Sequence, residues 1–343
     1  MAPTSRRAFV AATGAALGLA GSVLVAPSAP ASPAPARSDP GFGSSFPVGP
    51  WRRSPANPVL TADPSHTWES KYVFNPAAII RNGLIHLLYR AQGDDLVSRI
   101  GLAWSRDGVR FQRLADPVVE PDSTVDSHGC EDPRVVQVGS TYYLTYTAYD
   151  GTSARLSLAT STDLRNWTKH GPMFGDFVTP GNSKPWSKSG AILTTPINGQ
   201  YYMYFGDRGI FPATSPDLLT WTPSTTAVVP MESNDFTRSL TEAGPPPVLN
   251  ADGRIVLLHN AAEPFGKALR YSPGQVLIDP ATPTTTLARM TQPYLTPETP
   301  YETAGQVPNT IFTEGLVKLG DQWLIYYGAA DTVVALATYR PMA

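Results

Sequence analysis

Residues 128–151, HGCEDPRVVQVGSTYYLTYTAYDG, contain the strand–turn–strand unit on which the predicted architecture rests. An apolar run over residues 133–138 reaches a turn at Gly139, and the alternating aromatic run TYYLTYTAY follows. The next segments, ARLSLATSTDL and RNWTKHGPM, add a third strand, a Ser-x-Asp turn and a fourth strand. Short alternating runs that are separated by glycine and Ser-x-Asp turns predict four antiparallel strands.

The same unit recurs along the chain. The other copies contain NPAAIIRNGLIHLLYRAQ, KSGAILTTPINGQYYMYFGD, EAGPPPVLNADGRIVLLHNAAE and EGLVKLGDQWLIYYGAADT. Each of the five copies has a turn glycine between its first two strands: Gly83, Gly139, Gly199, Gly253 and Gly320. Three copies share a Ser-x-Asp turn followed by an aromatic residue, over residues 105–111, 161–167 and 215–221. This pattern predicts an all-β, five-bladed β-propeller; a β-sandwich is the alternative, but it does not account for the repeated turns.

The two ends of the domain are expected to share one blade. The fifth copy ends at Tyr339 without a fourth strand. The segment WRRSPANPVL, over residues 51–60, resembles the outer strand FQRLADPVVEP of the first copy. We therefore predict that an N-terminal strand closes the ring. Residues 45–343 are expected to form a single catalytic domain, because no alternation of strands and helices indicates a second one.

Residues 1–36 have the pattern of an export signal. Arg6 and Arg7 form a twin-arginine pair within SRRAFV, and a weakly apolar run follows over residues 11–26. This run is shorter than the roughly 18 residues that a membrane-spanning helix needs, which argues against the alternative of a membrane anchor. We expect a twin-arginine signal with a Pro/Ala-rich leader, hence a secreted protein with no membrane association after signal removal.

The composition argues against several classes of function. The net charge of −2 provides no broad basic face for nucleic acid. The single cysteine, Cys130, cannot form an internal disulfide. The five histidines lack metal-ligand spacing, so neither a metal nor another cofactor is expected.

Polar residues at the starts of the innermost strands are expected to converge on the channel of a propeller. Those positions hold Asn75, Asp132, Lys188, Glu242 and Glu314. Any one of them alone fits a solvated turn equally well, but the apolar strands behind them carry almost no other charge. Two carboxylates across a sugar-sized gap are the groups that cleave a glycosidic bond, one as the acid and one as the base for water. An oligosaccharide is therefore the expected substrate.

Seven motifs occur in order from about residue 50 to the C-terminus: NPAAI, YRAQGDD with SRIGLAWSRDG, CEDPRV, YFGD, GPPP, YE with GQVPN, and YYGAADT. In combination they resemble glycoside hydrolase family 130, the β-mannoside phosphorylases and hydrolases. The resemblance implies a five-bladed propeller, inversion at the anomeric carbon, and a general acid at Asp132. The propeller families of arabinanases, xylosidases and fructosidases are the neighbouring alternative.

Further residues around these motifs are candidates for sugar contacts. Glu131 is expected to hold a hydroxyl near the acid, to pair with Arg134 across a β-bulge, or both. Trp68 and Trp186 suit sugar faces, although blade packing is the alternative. The substrate-binding candidates are Asn75, Arg90, Asp94, Asp95, Glu131, Lys188, Asp207, Tyr301 and Asp331.

The attacking group decides between two reactions. Water requires a carboxylate base, for which Glu242 and Glu314 are the candidates. Inorganic phosphate, as co-substrate, requires cations instead, for which the candidates are Arg155, Lys188, Arg208 and His259. Phosphorylases of the family tend to have Tyr-His-Gly where this chain has LHN at residues 258–260.

That departure and the expected export favour hydrolysis, because a sugar phosphate made outside the cell is hard to import. We therefore predict a secreted inverting glycosidase for β-mannosides, with Asp132 as the acid and a channel glutamate as the base. The alternative is a β-mannoside phosphorylase that releases mannose 1-phosphate. A second alternative is a carbohydrate-binding propeller without catalysis.

Overall fold

Five antiparallel sheets follow one another along residues 42–341, which are the residues that the computed structural model describes. The predicted export signal over residues 1–36 lies outside them. Blade 1 contains β2 (Tyr72–Arg81), β3 (Leu84–Gln92), β4 (Arg99–Ser105) and β5 (Gln112–Arg113). Blade 2 contains β6 (Gly129–Val138), β7 (Thr141–Tyr149), β8 (Ala154–Ser161) and β9 (Thr168–Pro172). The predicted five-bladed β-propeller is confirmed.

The remaining blades follow the same order from the channel outward. Blade 3 contains β10 (Ala191–Ile197), β11 (Gln200–Phe205), β12 (Phe211–Ser215) and β13 (Thr222–Pro223). Blade 4 contains β14 (Leu240–Ala243), β15 (Val248–Leu249), β16 (Ile255–Phe265), β17 (Ala268–Ile278) and β18 (Thr286–Arg289). Blade 5 contains β19 (Ile311–Leu319), β20 (Gln322–Ala329), β21 (Val333–Tyr339) and the N-terminal β1 (Arg52–Arg53).

Helix is confined to two short pieces within residues 42–341. These are a 3-10 turn, Thr67–Glu69, and α1, Pro300–Thr303. Neither is long and apolar enough to cross a membrane.

The repeated turns have the geometry that their residues predict. All five turn glycines have φ between 62° and 76°, a region that residues with a Cβ rarely adopt. In blade 1 the Ser105 hydroxyl donates to Asp107, whose carboxylate accepts the backbone N–H groups of Val109 and Arg110. The Ser-x-Asp turns of blades 2 and 3 repeat this arrangement. Each turn thus satisfies its own backbone and fixes where the outer strand begins.

The apolar core is divided into five clusters, one at each junction between neighbouring blades. Leu88 of blade 1 and Leu144 of blade 2, for example, are both completely buried in one cluster. Phe42, just before the predicted domain start, is completely buried between blades 4 and 5, where it packs on Trp323. Burial of both faces of each sheet holds the blades around the channel.

The N-terminal strand closes the ring as predicted. Arg52 and Arg53 of β1 pair with Thr338 and Ala337 of β21, so the chain ends share blade 5. The Arg53 guanidinium also donates to both oxygens of Glu302, at 2.7 and 3.0 Å, and this carboxylate is completely buried. The Tyr327 hydroxyl donates to Glu302 Oε1, which also accepts from Arg53 Nε, at 2.8 Å. One buried ion pair therefore fastens the closing strand to α1 and β20.

We expect Arg53→Ala to lower the free energy of unfolding by about 3 kcal/mol, because Glu302 is left buried without its cation. Urea denaturation followed by tryptophan fluorescence measures this. Arg52→Ala is the matched control, since Arg52 is the exposed neighbour on the same strand and should change stability by less than about 0.5 kcal/mol. Equal effects of the two variants would contradict this role for the Arg53–Glu302 pair.

Candidate active site

Bulges in three innermost strands project polar side chains into the channel. In β2 Asn75 is the extra residue between the pairs Phe74–Arg90 and Pro76–Tyr89. The register of β6 shifts between Glu131 and Arg134, around Asp132, and that of β19 shifts around Glu314. Asn75 and Asp132 have φ of 44° and 50°, in the left-handed region. The bulges therefore aim these side chains away from the regular alternation of a strand.

The Asp132 carboxylate is the centre of the resulting cluster. Its Oδ1 accepts hydrogen bonds from Asn75 Nδ2 and Arg90 Nη1, each at 2.9 Å, and its Oδ2 lies 3.7 Å from Lys188 Nζ. Burial opposes its ionisation, but Arg90 and Lys188 outweigh burial and hold the pKa of Asp132 below its usual range. A general acid must carry a proton, so substrate has to change these contacts before Asp132 can act as one.

Arg90 joins Asp132 to its neighbour in sequence. Its Nη2 donates to Glu131 at 2.6 Å while its Nε donates to the Ser98 hydroxyl at 2.8 Å, and its guanidinium lies 4.8 Å from the Phe74 ring centroid. Burial raises the pKa of Glu131, against the attraction of Arg90. The suggested ion pair between Glu131 and Arg134 is wrong, because Glu131 pairs with Arg90.

Arg134 instead contacts the backbone of Asp132, and we call its buried guanidinium the floor of the cluster. Its side chain is 1% exposed, and it donates to the backbone carbonyls of Asp132, Ala243 and Gly244 at 3.0, 2.6 and 2.8 Å. Its Nη2 lies 3.2 Å from Glu314 Oε1. Burial raises the pKa of Glu314 well above its usual value despite this cation. Arg134 thus connects blades 2, 4 and 5 under the channel.

Lys188 lies between the carboxylates of Asp132 and Glu242. Its Nζ is 3.4 Å from Glu242 Oε1, and the Ser189 hydroxyl donates to the same oxygen. Burial opposes the charge of Lys188, but Glu242 and Asp132 outweigh it and raise the pKa of Lys188. Burial raises the pKa of Glu242, against the attraction of Lys188. Of the two candidate bases, Glu242 is the one that shares a cation with Asp132.

Three further side chains lie at the mouth of this cluster. Asp207 accepts from Trp186 Nε1 at 2.7 Å and adds to the negative potential on Lys188. Loss of hydration raises the pKa of Asp331 to about 7, against the attraction of Arg90. Burial, and then the charge of Glu242, raise the pKa of Tyr271. Tyr271 was not predicted from the sequence. The feature that could have indicated it is the β16–β17 hairpin, which contains Tyr271 in β17 and whose strands are the longest in blade 4.

The family model described as beta-1,4-mannooligosaccharide phosphorylase matches residues 50–341. The chain belongs to glycoside hydrolase family 130. The predicted membership is therefore confirmed, and the protein is an enzyme that acts on β-mannosides. Phosphorylases of this family use inorganic phosphate as a co-substrate and no cofactor.

Relatives within family 130 match nearly the whole domain. A 1,2-β-oligomannan phosphorylase of Thermoanaerobacter sp. (strain X514) is 33% identical over 83% of this chain and 96% of its own length. A β-1,2-mannobiose phosphorylase of the same organism is 32% identical over 82% of this chain and 94% of its own length.

Solved structures in the family have the same fold. One is described by the statement that the GH130 mannoside phosphorylases contain glycoside hydrolases that target β-1,2-mannosidic linkages in Candida mannan. It is 35% identical, with a TM-score of 0.80 and coverage of 89% of this chain and 97% of that one. A glycosyl hydrolase from Bacteroides ovatus is 36% identical, with a TM-score of 0.79 and coverage of 84% and 93%.

Three predicted substrate-binding residues of this family 130 chain have their contacts outside the Asp132 cluster. Asp94 is exposed and lies 3.6 Å from Lys71, while Asp95 pairs with Arg99 at 2.9 Å. The Tyr301 hydroxyl accepts from Asn57 of the N-terminal segment at 3.1 Å. Their roles in substrate binding stay predictions, whereas the other predicted residues meet at or beside the cluster: Asn75, Arg90, Glu131, Lys188, Asp207 and Asp331.

The four predicted phosphate ligands do not come together. Arg155 is held by Asp150 and Asp176 at 2.7 and 2.9 Å. His259 is completely buried and stacks on Phe236. Lys188 is in the cluster, and Arg208 is exposed beside Asp207. Arg155 thus has its contacts with an acidic loop and His259 lies inside blade 4, and the role of the four residues in phosphate binding stays a prediction.

His259 should make stability depend on pH. Burial and the charge of Arg289 lower the pKa of His259 from 6.5 to about 4, so the folded protein keeps a neutral imidazole that the unfolded chain protonates. Its contribution is therefore complete above pH 6.5 and falls by about 3 kcal/mol as the pH drops to 4. Urea titrations across this range should give a shallower decline for His259→Leu than for the unaltered protein. Parallel curves would refute the assignment.

Proposed function

We propose that this protein is a β-mannoside phosphorylase that prefers β-1,2 linkages. The observation that carries the proposal is the similarity, over more than nine-tenths of their length, to two Thermoanaerobacter enzymes named as phosphorylases of β-1,2-linked mannosides. The sequence alone favoured water as the acceptor, but the comparisons support phosphate better. The family model's own description, with its β-1,4 linkage, makes linkage a point to be measured.

The channel provides the groups for such a reaction. Asn75 and Arg90 hold the Asp132 carboxyl beside the bond to be cleaved. Once substrate has displaced these contacts, a protonated Asp132 gives its proton to the glycosidic oxygen, directly or through a sugar hydroxyl. Phosphate attacks the anomeric carbon from the opposite face and inverts it, and the products are mannose 1-phosphate and a shortened mannoside. Lys188 and Arg208 are the cations available to attract phosphate.

Hydrolysis is the second candidate, and the charges of the site favour it. Of the four predicted phosphate ligands only Lys188 belongs to the cluster, and it already lies within 3.7 Å of two carboxylates. Glu242, joined to Asp132 through this lysine, is the group that would deprotonate an attacking water. The similarity to a solved structure described in terms of β-1,2-mannoside hydrolases supports the same candidate.

The products separate the two reactions. The purified protein without residues 1–36 is incubated with β-1,2- and β-1,4-mannobiose, with and without phosphate, and the sugars are identified by chromatography. We expect mannose 1-phosphate from the β-1,2 substrate, formed only when phosphate is present. Free mannose formed at the same rate without phosphate would establish hydrolysis and make Glu242 the base. Asp132→Asn should lower either rate by about 100- to 10,000-fold.

Arg208→Gln tests the phosphate site directly. A charge-assisted hydrogen bond contributes about 1.5–3 kcal/mol, so its loss should raise the KM for phosphate by at least about tenfold. Arg110→Gln is the control, because Arg110 is 91% exposed on a blade 1 turn away from the cluster. An unchanged KM in Arg208→Gln would remove Arg208 from the phosphate site.

We also propose that the protein is secreted through the twin-arginine route. The pair Arg6-Arg7 and the weakly apolar run after it support this proposal. In a bacterium with this pathway, the full chain should appear outside the cytoplasm, and Arg6→Lys combined with Arg7→Lys should retain it inside. Export of the double-lysine chain at the original rate would refute the route.

A further inference from the structure

A cleft of about 670 Å³ lies beside blade 1, apart from the Asp132 cluster. Thr67 and Trp68 of the 3-10 turn line it together with Asp94 and Asp95 of the loop after β3. Arg99, at the start of β4, also lines it. The cleft therefore collects residues that the sequence marked as sugar contacts and that the catalytic cluster does not use.

One loop connects the cleft to the catalytic cluster. On its inner side the Ser98 hydroxyl accepts from Arg90 at 2.8 Å and from Gln92 at 3.0 Å, and Arg90 in turn contacts Asp132. The residues of the same loop that line the cleft are Asp94 and Asp95. Residues 93–98 thus have the acid's cation on one side and the cleft on the other.

The Trp68 ring is held in place by its contacts and gives the cleft an apolar surface. The Trp68 ring stacks on Tyr89 with centroids 6.2 Å apart, and its Nε1 donates to the Ala115 carbonyl at 2.8 Å. Because the indole N–H already has its partner, the ring is left as an apolar surface. Gly101 keeps this stack close, since a Cβ there would lie 2.6 Å from the Trp68 ring. Such a fixed aromatic surface suits the C–H face of a sugar.

The carboxylates of Asp94 and Asp95 provide hydrogen-bond acceptors in the cleft. The Asp94 side chain is 95% exposed and lies 3.6 Å from Lys71. Carboxylate oxygens accept hydrogen bonds from hydroxyl groups, and these charge-assisted bonds are stronger than neutral ones. An apolar ring and carboxylates that line the same cleft match a neutral ligand rich in hydroxyl groups.

The charges argue against other ligands. Asp94, Asp95 and Glu120 outnumber Arg99 in the cleft, and Arg99 is paired with Asp95, so an anion would be repelled. Among residues 42–341 the carboxylates of this cleft do not converge as metal ligands. The converging group nearby, around Glu69, is saturated, because Glu69 accepts from both Tyr89 and Arg113.

We propose that this cleft is a distal subsite that binds mannosyl units beyond those at the bond to be cleaved. The identity of the sugar rests on the proposed function, whereas the position and chemistry of the subsite rest on Trp68, Asp94 and the loop they share with Arg90. The enzyme therefore binds longer β-mannosides more tightly than the disaccharide.

Binding is measured by calorimetry on the full domain carrying Asp132→Asn, so that no turnover intervenes. β-1,2-Mannotetraose should bind about tenfold more tightly than β-1,2-mannobiose. Trp68→Ala should reduce this ratio toward one. Thr67→Trp, which fills the cleft from an exposed position, should do the same without removing a packed side chain. Asp94→Asn should reduce the ratio about threefold.

Asp321→Asn is the control, because Asp321 is also an exposed aspartate and is paired with Arg340 on blade 5. It should leave the ratio unchanged, and thermal melting should show that every variant is folded. A ratio that stays tenfold in folded Thr67→Trp and Trp68→Ala, or no preference for the tetraose in the first place, would overturn the distal subsite. Failure of the proposed function has a different signature, because the mannobiose assay then yields either free mannose at the same rate without phosphate or no product at all, whatever the ratio of the two affinities.

Discussion

The catalytic cluster depends on the contacts of one buried group, the guanidinium of Arg134. It donates to the Asp132 carbonyl in blade 2 and to two carbonyls in blade 4, and it lies against Glu314 of blade 5. A buried cation is tolerated only when its charge and its donors are satisfied, so these partners have no freedom to separate. The bulge that carries the acid is thereby held at a fixed distance from the strands that face it.

Above this floor the site alternates positive and negative groups. Arg90 bridges Glu131 and Asp132, and Lys188 bridges Asp132 and Glu242. This alternation keeps Asp132 ionised, although its proposed role requires a proton. In the proposed reaction, a sugar in the channel would replace cation contacts with hydroxyl contacts and remove water, and both changes would raise the pKa of the carboxyl. The proposal therefore couples the protonation of Asp132 to the arrival of substrate.

The sequence predicted the blades well because their signals are local. A turn glycine with positive φ or a Ser-x-Asp turn has the same geometry wherever it occurs, so its repetition specified the number and order of the strands. Of the three bulges, only the one between Glu131 and Arg134 was suggested from the sequence, and the contacts that the bulges create were not predictable, since an extra residue in a strand leaves no compositional mark. The ion pairs therefore differ from the expected one: Glu131 pairs with Arg90, whereas Arg134 contacts Glu314. His259 is a related case, because it and Asn260 point to opposite faces of β16 and both are completely buried, and residue type alone does not say which neighbours each face meets.

The geometry of the site depends on the closure of the ring. Blade 5 provides Glu314 to the floor, but its outermost strand, β1, comes from the other end of the domain and is fastened by the Arg53–Glu302 pair. Because Arg134 contacts blades 2, 4 and 5 simultaneously, moving these blades apart would separate it from its partners. No isolated blade contains the acid, its cations and the floor together. The catalytic cluster is therefore a property of the closed ring, and the N-terminal strand belongs to the active site as much as to the fold.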